Sequence, residues 1–144
     1  MRHSDLVSLS LLLGALLVGV GGCGQKKINE CNSLIQVINA GVTSMQKGTK
    51  VQGDEHGTTE LTLLADAMDK VATDASKVEL SIPELQKYST EYQTMARQIA
   101  KSARQMATDF KDSAKLAAAQ AELDKAAKQE DPLVASINKF CEAP

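Results

Sequence analysis

Apolar side chains recur along this chain in alternating steps of three and four, the spacing that lines one face of a helix with 3.6 residues per turn. The first stripe is Ile28, Cys31, Ile35, Ile38, Val42 and Met45, widened by Leu34 and Gly41. A second follows at Leu61, Leu64, Met68, Val71, Ala75 and Val78. The third is Leu85, Tyr88, Tyr92, Met95, Ile99, Ser102 and Met106, with Ala103 beside its polar member. The fourth is Leu116, Ala119, Leu123, Ala126, Glu130, Leu133, Ile137 and Phe140, polar only at Glu130. Valine and isoleucine never alternate with polar residues as in a half-buried strand, and alanine runs such as 117–121 favour helix. The expectation is an all-α chain without strands.

Between the stripes the punctuation is uneven. Residues 47–57 hold three glycines and no periodicity, which marks a loop, and Thr58 or Thr59 is placed to cap the second helix. Ser81-Ile82-Pro83-Glu84 has the form of a capping box, with Ser81 as cap and proline in the first turn. Asp131-Pro132 has the form of an N-cap and first-turn pair, yet the apolar phase continues across it, so a kink or brief break is expected there. From Met106 to Leu116 no glycine or proline announces a turn, and the sequence permits a single helix of ~70 Å over residues 83–129.

The N-terminal run Leu6 to Cys23 reads LVSLSLLLGALLVGVGGC. It falls short of the ~20 apolar residues of a spanning helix. It has the three parts of an export signal: Arg2 at the start, an apolar centre from Leu9 to Val20, and Gly21-Gly22 before the break. The ending Val20-Gly21-Gly22-Cys23 resembles the lipobox of bacterial lipoproteins. An uncleaved anchor and an ordinary secretion signal are the rival readings of the same run. The resemblance covers only the first 24 residues. It implies a cleaved signal peptide (1–22), diacylglycerol and an N-acyl lipid on Cys23, a lipidated tether (23–27) and a mature helical domain (28–144). By that family's sorting tendency, Gly24 in place of aspartate implies the periplasmic face of the outer membrane.

Export makes the other two cysteines informative. Cys31 and Cys141 form an even pair in an oxidising compartment, which favours a disulfide over two separate buried thiols. Closing nearly the whole mature chain into one loop is worth ~4 to 5 kcal/mol in the chain-entropy model. The bridge also bears on the unmarked stretch. A continuous helix from 83 to 129 would keep Cys141 away from Cys31, whereas a turn at 109–114 gives an up-down-up-down four-helix bundle whose first and last helices share an end. Cys31 then marks the membrane-proximal end. The far tip carries the 48–57 loop and the 109–114 turn, with Gly53, Asp54, Glu55, His56, Phe110 and Lys111 as candidate binding residues.

The remaining chemistry points away from catalysis. The formal net charge is −2, the charges are interspersed, and no basic face exists for nucleic acid. Lys26 and Lys27 suit a solvated linker or lipid headgroup contacts, the latter at about 1 kcal/mol each. His56 is the single histidine after the signal, and with Asp54 and Glu55 it offers ligands from one segment only, so no metal site is expected. Glu130 could be a buried functional carboxylate, but the expectation is that it lies at the edge of its stripe or beside a proline kink. The core methionines read as gap-fillers, and no CxxCH, HExxH, nucleophile elbow or phosphate loop occurs. The expectation is a non-enzymatic module without cofactor. It is held to the membrane by its lipid and binds another envelope protein or the cell wall. A periplasmic small-ligand or metal-binding chaperone is the alternative.

Overall fold

The computed structural model describes residues 22–48 and 57–142, for 22, 23, 42 and 44–48 the backbone alone. Among the described residues every regular element is helical: α1 (Gly22–Gly48), α2 (Gly57–Ser76), α3 (Pro83–Thr108), α4 (Ser113–Ala127) and α5 (Glu130–Glu142). The all-α bundle expected from the stripes is what forms, with α4 and α5 together making the fourth arm.

Helix α3 is the hub. It packs most extensively on α2, next on α4, and also meets α1 and α5, while α1 rests chiefly on α2. The reason lies in its composition: Leu85, Tyr92, Met95 and Ile99 are buried on it together with the small Ser89, Ala96, Ala100, Ser102 and Ala103, so a wide arc is apolar and narrow enough for close neighbours. Facing helix α2 buries Ala65, Met68, Val71, Ala72 and Ala75. On α1 the inward face is turned slightly from the stripe read in the sequence. Leu34 and Ile38 are buried, Ile35 is half-buried, and Ile28 is 51% exposed. Gly41 belongs to the inward face for a steric reason, because a Cβ there would lie 2.3 Å from Val71 Cγ2 and push α1 off α2.

The turn expected near 109–114 spans residues 109–112. Asp109 closes α3 with its amide donating to the Gln105 carbonyl at 2.8 Å. Asp112 opens α4, its carboxylate accepting from the Lys115 amide at 3.1 Å. Two aspartates thus supply the turn chemistry that glycine and proline usually provide.

Three local expectations are corrected. Helix begins earlier than residue 28, because α1 starts at Gly22 and runs unbroken through the tether at 23–27 to Cys31 and beyond. The break in the fourth arm falls at Lys128 and Gln129, and Asp131-Pro132 lies inside the first turn of α5 instead of capping it. A proline ring clashes with the carbonyl four residues earlier, which here is that of Lys128. The third concerns Ser81 and is part of the site geometry below.

Candidate functional site

Two ends of the bundle collect its distinctive chemistry. At the end where α1 enters, Cys31 and Cys141 are joined by a disulfide with their Cα atoms 5.8 Å apart, as the expected bridge requires. The Phe140 ring meets the edge of Tyr88 with centroids 6.0 Å apart, and Lys27 Nζ lies 4.6 Å from the centre of the same ring. The disulfide therefore sits beside a small aromatic cluster joining α1, α3 and α5.

Glu30, next to the bridged Cys31, is buried and fully engaged. The Ser81 and Ile82 amides donate to its Oε2 at 2.9 and 3.1 Å, and the Ser81 hydroxyl donates to Oε1. Those bonds correct the capping-box expectation: Ile82, not Ser81, is the N-cap of α3, and it makes no side-chain cap. A carboxylate from α1, 51 residues away in the chain, does the capping, where the partial positive charge of the helix N-terminus favours an anion. The Ser81 hydroxyl, followed by the two amides and Lys26, holds the Glu30 carboxyl below the ordinary 4.5 against the opposing effect of burial.

At the opposite end, Phe110 and Lys111 are exposed in the α3–α4 turn, Phe110 at 53%. The start of α2 comes to the same place, since a Cβ on Gly57 would stand 3.8 Å from Phe110 Cε2. Leu63 is 46% exposed on α2 and borders an open groove of about 510 Å³ with Thr58, Thr62, Arg104 and Thr108. Arg104 crosses from α3 to α2 and donates to both Asp66 and Asp69, the Asp66 bond being 2.8 Å, and these two carboxylates, Asp69 first, hold its guanidinium more firmly charged. With Arg104 engaged by the two aspartates, the groove presents leucine, alanine and threonine surface, and Phe110 is exposed in the turn that follows α3. Gly53, Asp54, Glu55 and His56 lie outside the described residues, as does the Cys23 side chain.

Midway along the fourth arm, Glu130 comes to Tyr92. The tyrosine is fully buried, and its hydroxyl makes no close hydrogen bond, the Glu130 carboxyl being its polar neighbour. Burial, then the neighbouring Glu130 charge, pushes the Tyr92 hydroxyl well above its ordinary 10.0. Burial and next Asp131 push the Glu130 carboxyl above 4.5, the Tyr92 hydroxyl acting in the opposite sense. Glu130 therefore does more than border its stripe, for it sets a half-buried carboxylate against a core hydroxyl.

A second groove of about 250 Å³ between α1 and α2 is lined by Val37, Gly41, Ala67 and Val71, with Lys70 and Asp74. Among the described residues no three histidine, cysteine, aspartate or glutamate side chains are grouped to hold a metal, and no helix is long and apolar enough to cross a membrane. Compared with protein-family models, with curated proteins and with solved structures, the chain matches none. The class defined by fold and site is an all-α bundle closed end to end by one disulfide.

Proposed function

We propose that this protein is a lipid-anchored, non-catalytic binding module of the cell envelope. In this reading the signal is removed at Cys23, which carries diacylglycerol and an N-acyl chain, and three chains at ~0.8 kcal/mol per buried methylene make detachment negligible. The module stands on the periplasmic face of the outer membrane, without a cofactor, and meets another envelope protein or the cell wall with its far tip. The observation that carries the reading is the exposure of Phe110 and Leu63, the latter lining a groove, at the end of the bundle opposite the one where α1 enters. Contiguous exposed apolar surface marks docking sites, and Phe110 and Leu63 are two of the three large apolar side chains exposed among the described residues. The disulfide supports export, since such bonds persist in oxidising compartments.

A photo-crosslinking residue placed at Phe110 in intact cells, with the exposed Glu91 on α3 as comparison, tests it. A discrete crosslinked species from 110 and none from 91 is the expected result. Equal or absent crosslinking at 110 contradicts tip binding, and failure of an inhibitor of lipoprotein signal peptidase to accumulate the longer precursor contradicts the anchor. The α1–α2 groove favours the second reading, a periplasmic small-ligand chaperone. A stoichiometric small molecule seen by native mass spectrometry would promote that reading.

A further inference from the structure

We infer that α5 is a latch helix held down by the Cys31–Cys141 disulfide, and that an external dithiol releases it from α3 while α2 and α3 stay paired. Four observations converge on it. First, α5 is shallowly seated: of its 13 residues only Ile137 is fully buried, whereas α2 buries five and α3 nine. Second, the break at Lys128 and Gln129 interrupts helical continuity with α4 and leaves a hinge where the Pro132 ring forbids the regular bond. Third, its first turn sets the half-buried Glu130 carboxylate against the buried Tyr92 hydroxyl, and that carboxylate is better solvated once α5 swings away. Fourth, its last turn is bonded covalently to α1.

The chemistry is thiol–disulfide exchange. Cys31 is 3% exposed whereas Cys141 is partly exposed, so attack falls on the Cys141 sulfur. One thiolate of the dithiol bonds to Cys141 Sγ, the Cys31–Cys141 bond breaks, and Cys31 leaves with the electron pair and takes a proton. The second thiol of the reductant then attacks its own partner sulfur, and Cys141 leaves and is protonated. Two electrons and two protons pass to the protein, and the dithiol becomes a disulfide. Movement of α5 uncovers Tyr88, which loses the Phe140 edge contact, and Tyr92, which loses Glu130. These are the only two tyrosines in the chain, so tyrosine emission reports the latch directly.

Hydrogen exchange of the full chain, with and without dithiothreitol, tests the inference. Amides of 130–142 are expected to lose protection at least tenfold on reduction, with tyrosine emission becoming open to acrylamide quenching. Those of 61–76 and 85–106 are expected to stay within threefold. The Cys31→Ser/Cys141→Ser variant is expected to show the same pattern without reductant. Retained protection over 130–142 would overturn the latch, and so would loss of protection over α2 and α3 in the same step, in either protein.

Discussion

The α2–α3 pair, with helices of 20 and 26 residues, and the shorter α4–α5 arm, with helices of 15 and 13, are held by different means. In the pair, large side chains such as Met68, Leu85, Tyr92 and Met95 are buried among alanines, and Arg104 spans the two helices to Asp66 and Asp69. In the arm, α4 buries only Ala119 and Ala126, α5 only Ile137, and a covalent bond replaces the missing packing. The difference teaches that an apolar stripe fixes which face of a helix turns inward but not how strongly it is held. Side-chain volume decides that, at ~25 cal/mol per Å² of apolar surface removed from water. Surface ion pairs such as Arg104 with its aspartates add at most about 1 kcal/mol, so they set register more than strength.

Changes that separate the two regions should follow this order. Leu85→Ala, in the first turn of α3, is expected to lower global stability by about 3 kcal/mol in urea unfolding, because it removes a fully buried side chain and leaves a cavity. Next is Glu30→Gln, which leaves the start of α3 without its charged cap and is expected to cost about 2 kcal/mol at neutral pH. Its pH dependence has a defined sign. The folded carboxyl titrates below 4.5, so its contribution is complete above that value and disappears as pH falls below it, where wild type and variant should converge.

Gly41→Ala comes third, at about 1 to 2 kcal/mol, since its Cβ meets Val71 branches that cannot move without parting α1 from α2. The smallest effect has the opposite direction. Glu130→Gln is expected to stabilise by about 1 kcal/mol at neutral pH, because a half-buried carboxylate loses its charge. For Glu130 the folded carboxyl titrates above 4.5, so wild type is more stable below 4.5 and loses ground as pH rises through the folded value. The two glutamates should therefore give pH–stability differences of opposite slope, and a shared slope would break the comparison.

Much of the fold was legible because helix faces are written in local spacing. The fourth stripe kept its phase from Leu116 to Phe140, and the buried Ala119, Ala126 and Ile137 all lie on it. The turn at 109–112 lacked glycine and proline, and only the need to bring Cys31 to Cys141 pointed to it; Asp112 before Ser113 was a further cap signal present in the sequence. Glu30 could not be read, since its partners Ser81 and Ile82 are non-local and Ser81-x-x-Glu84 offered a complete local alternative. The break at Lys128 was displaced from Pro132 by one helical turn because the clash acts on the preceding carbonyl. Glu130 stood out as the polar member of its stripe, but its meeting with Tyr92 depends on how α5 lies on α3.

The central claim, that packing holds the α2–α3 pair and the disulfide holds the end of the arm, is tested most directly by urea unfolding followed with two probes. Far-ultraviolet ellipticity reports all helices, whereas tyrosine emission reports Tyr88 and Tyr92 beneath α5. Coincident transitions in the oxidised protein, and a tyrosine change preceding the main loss of ellipticity after reduction, are the predicted result. A single coincident transition in the reduced protein would contradict it.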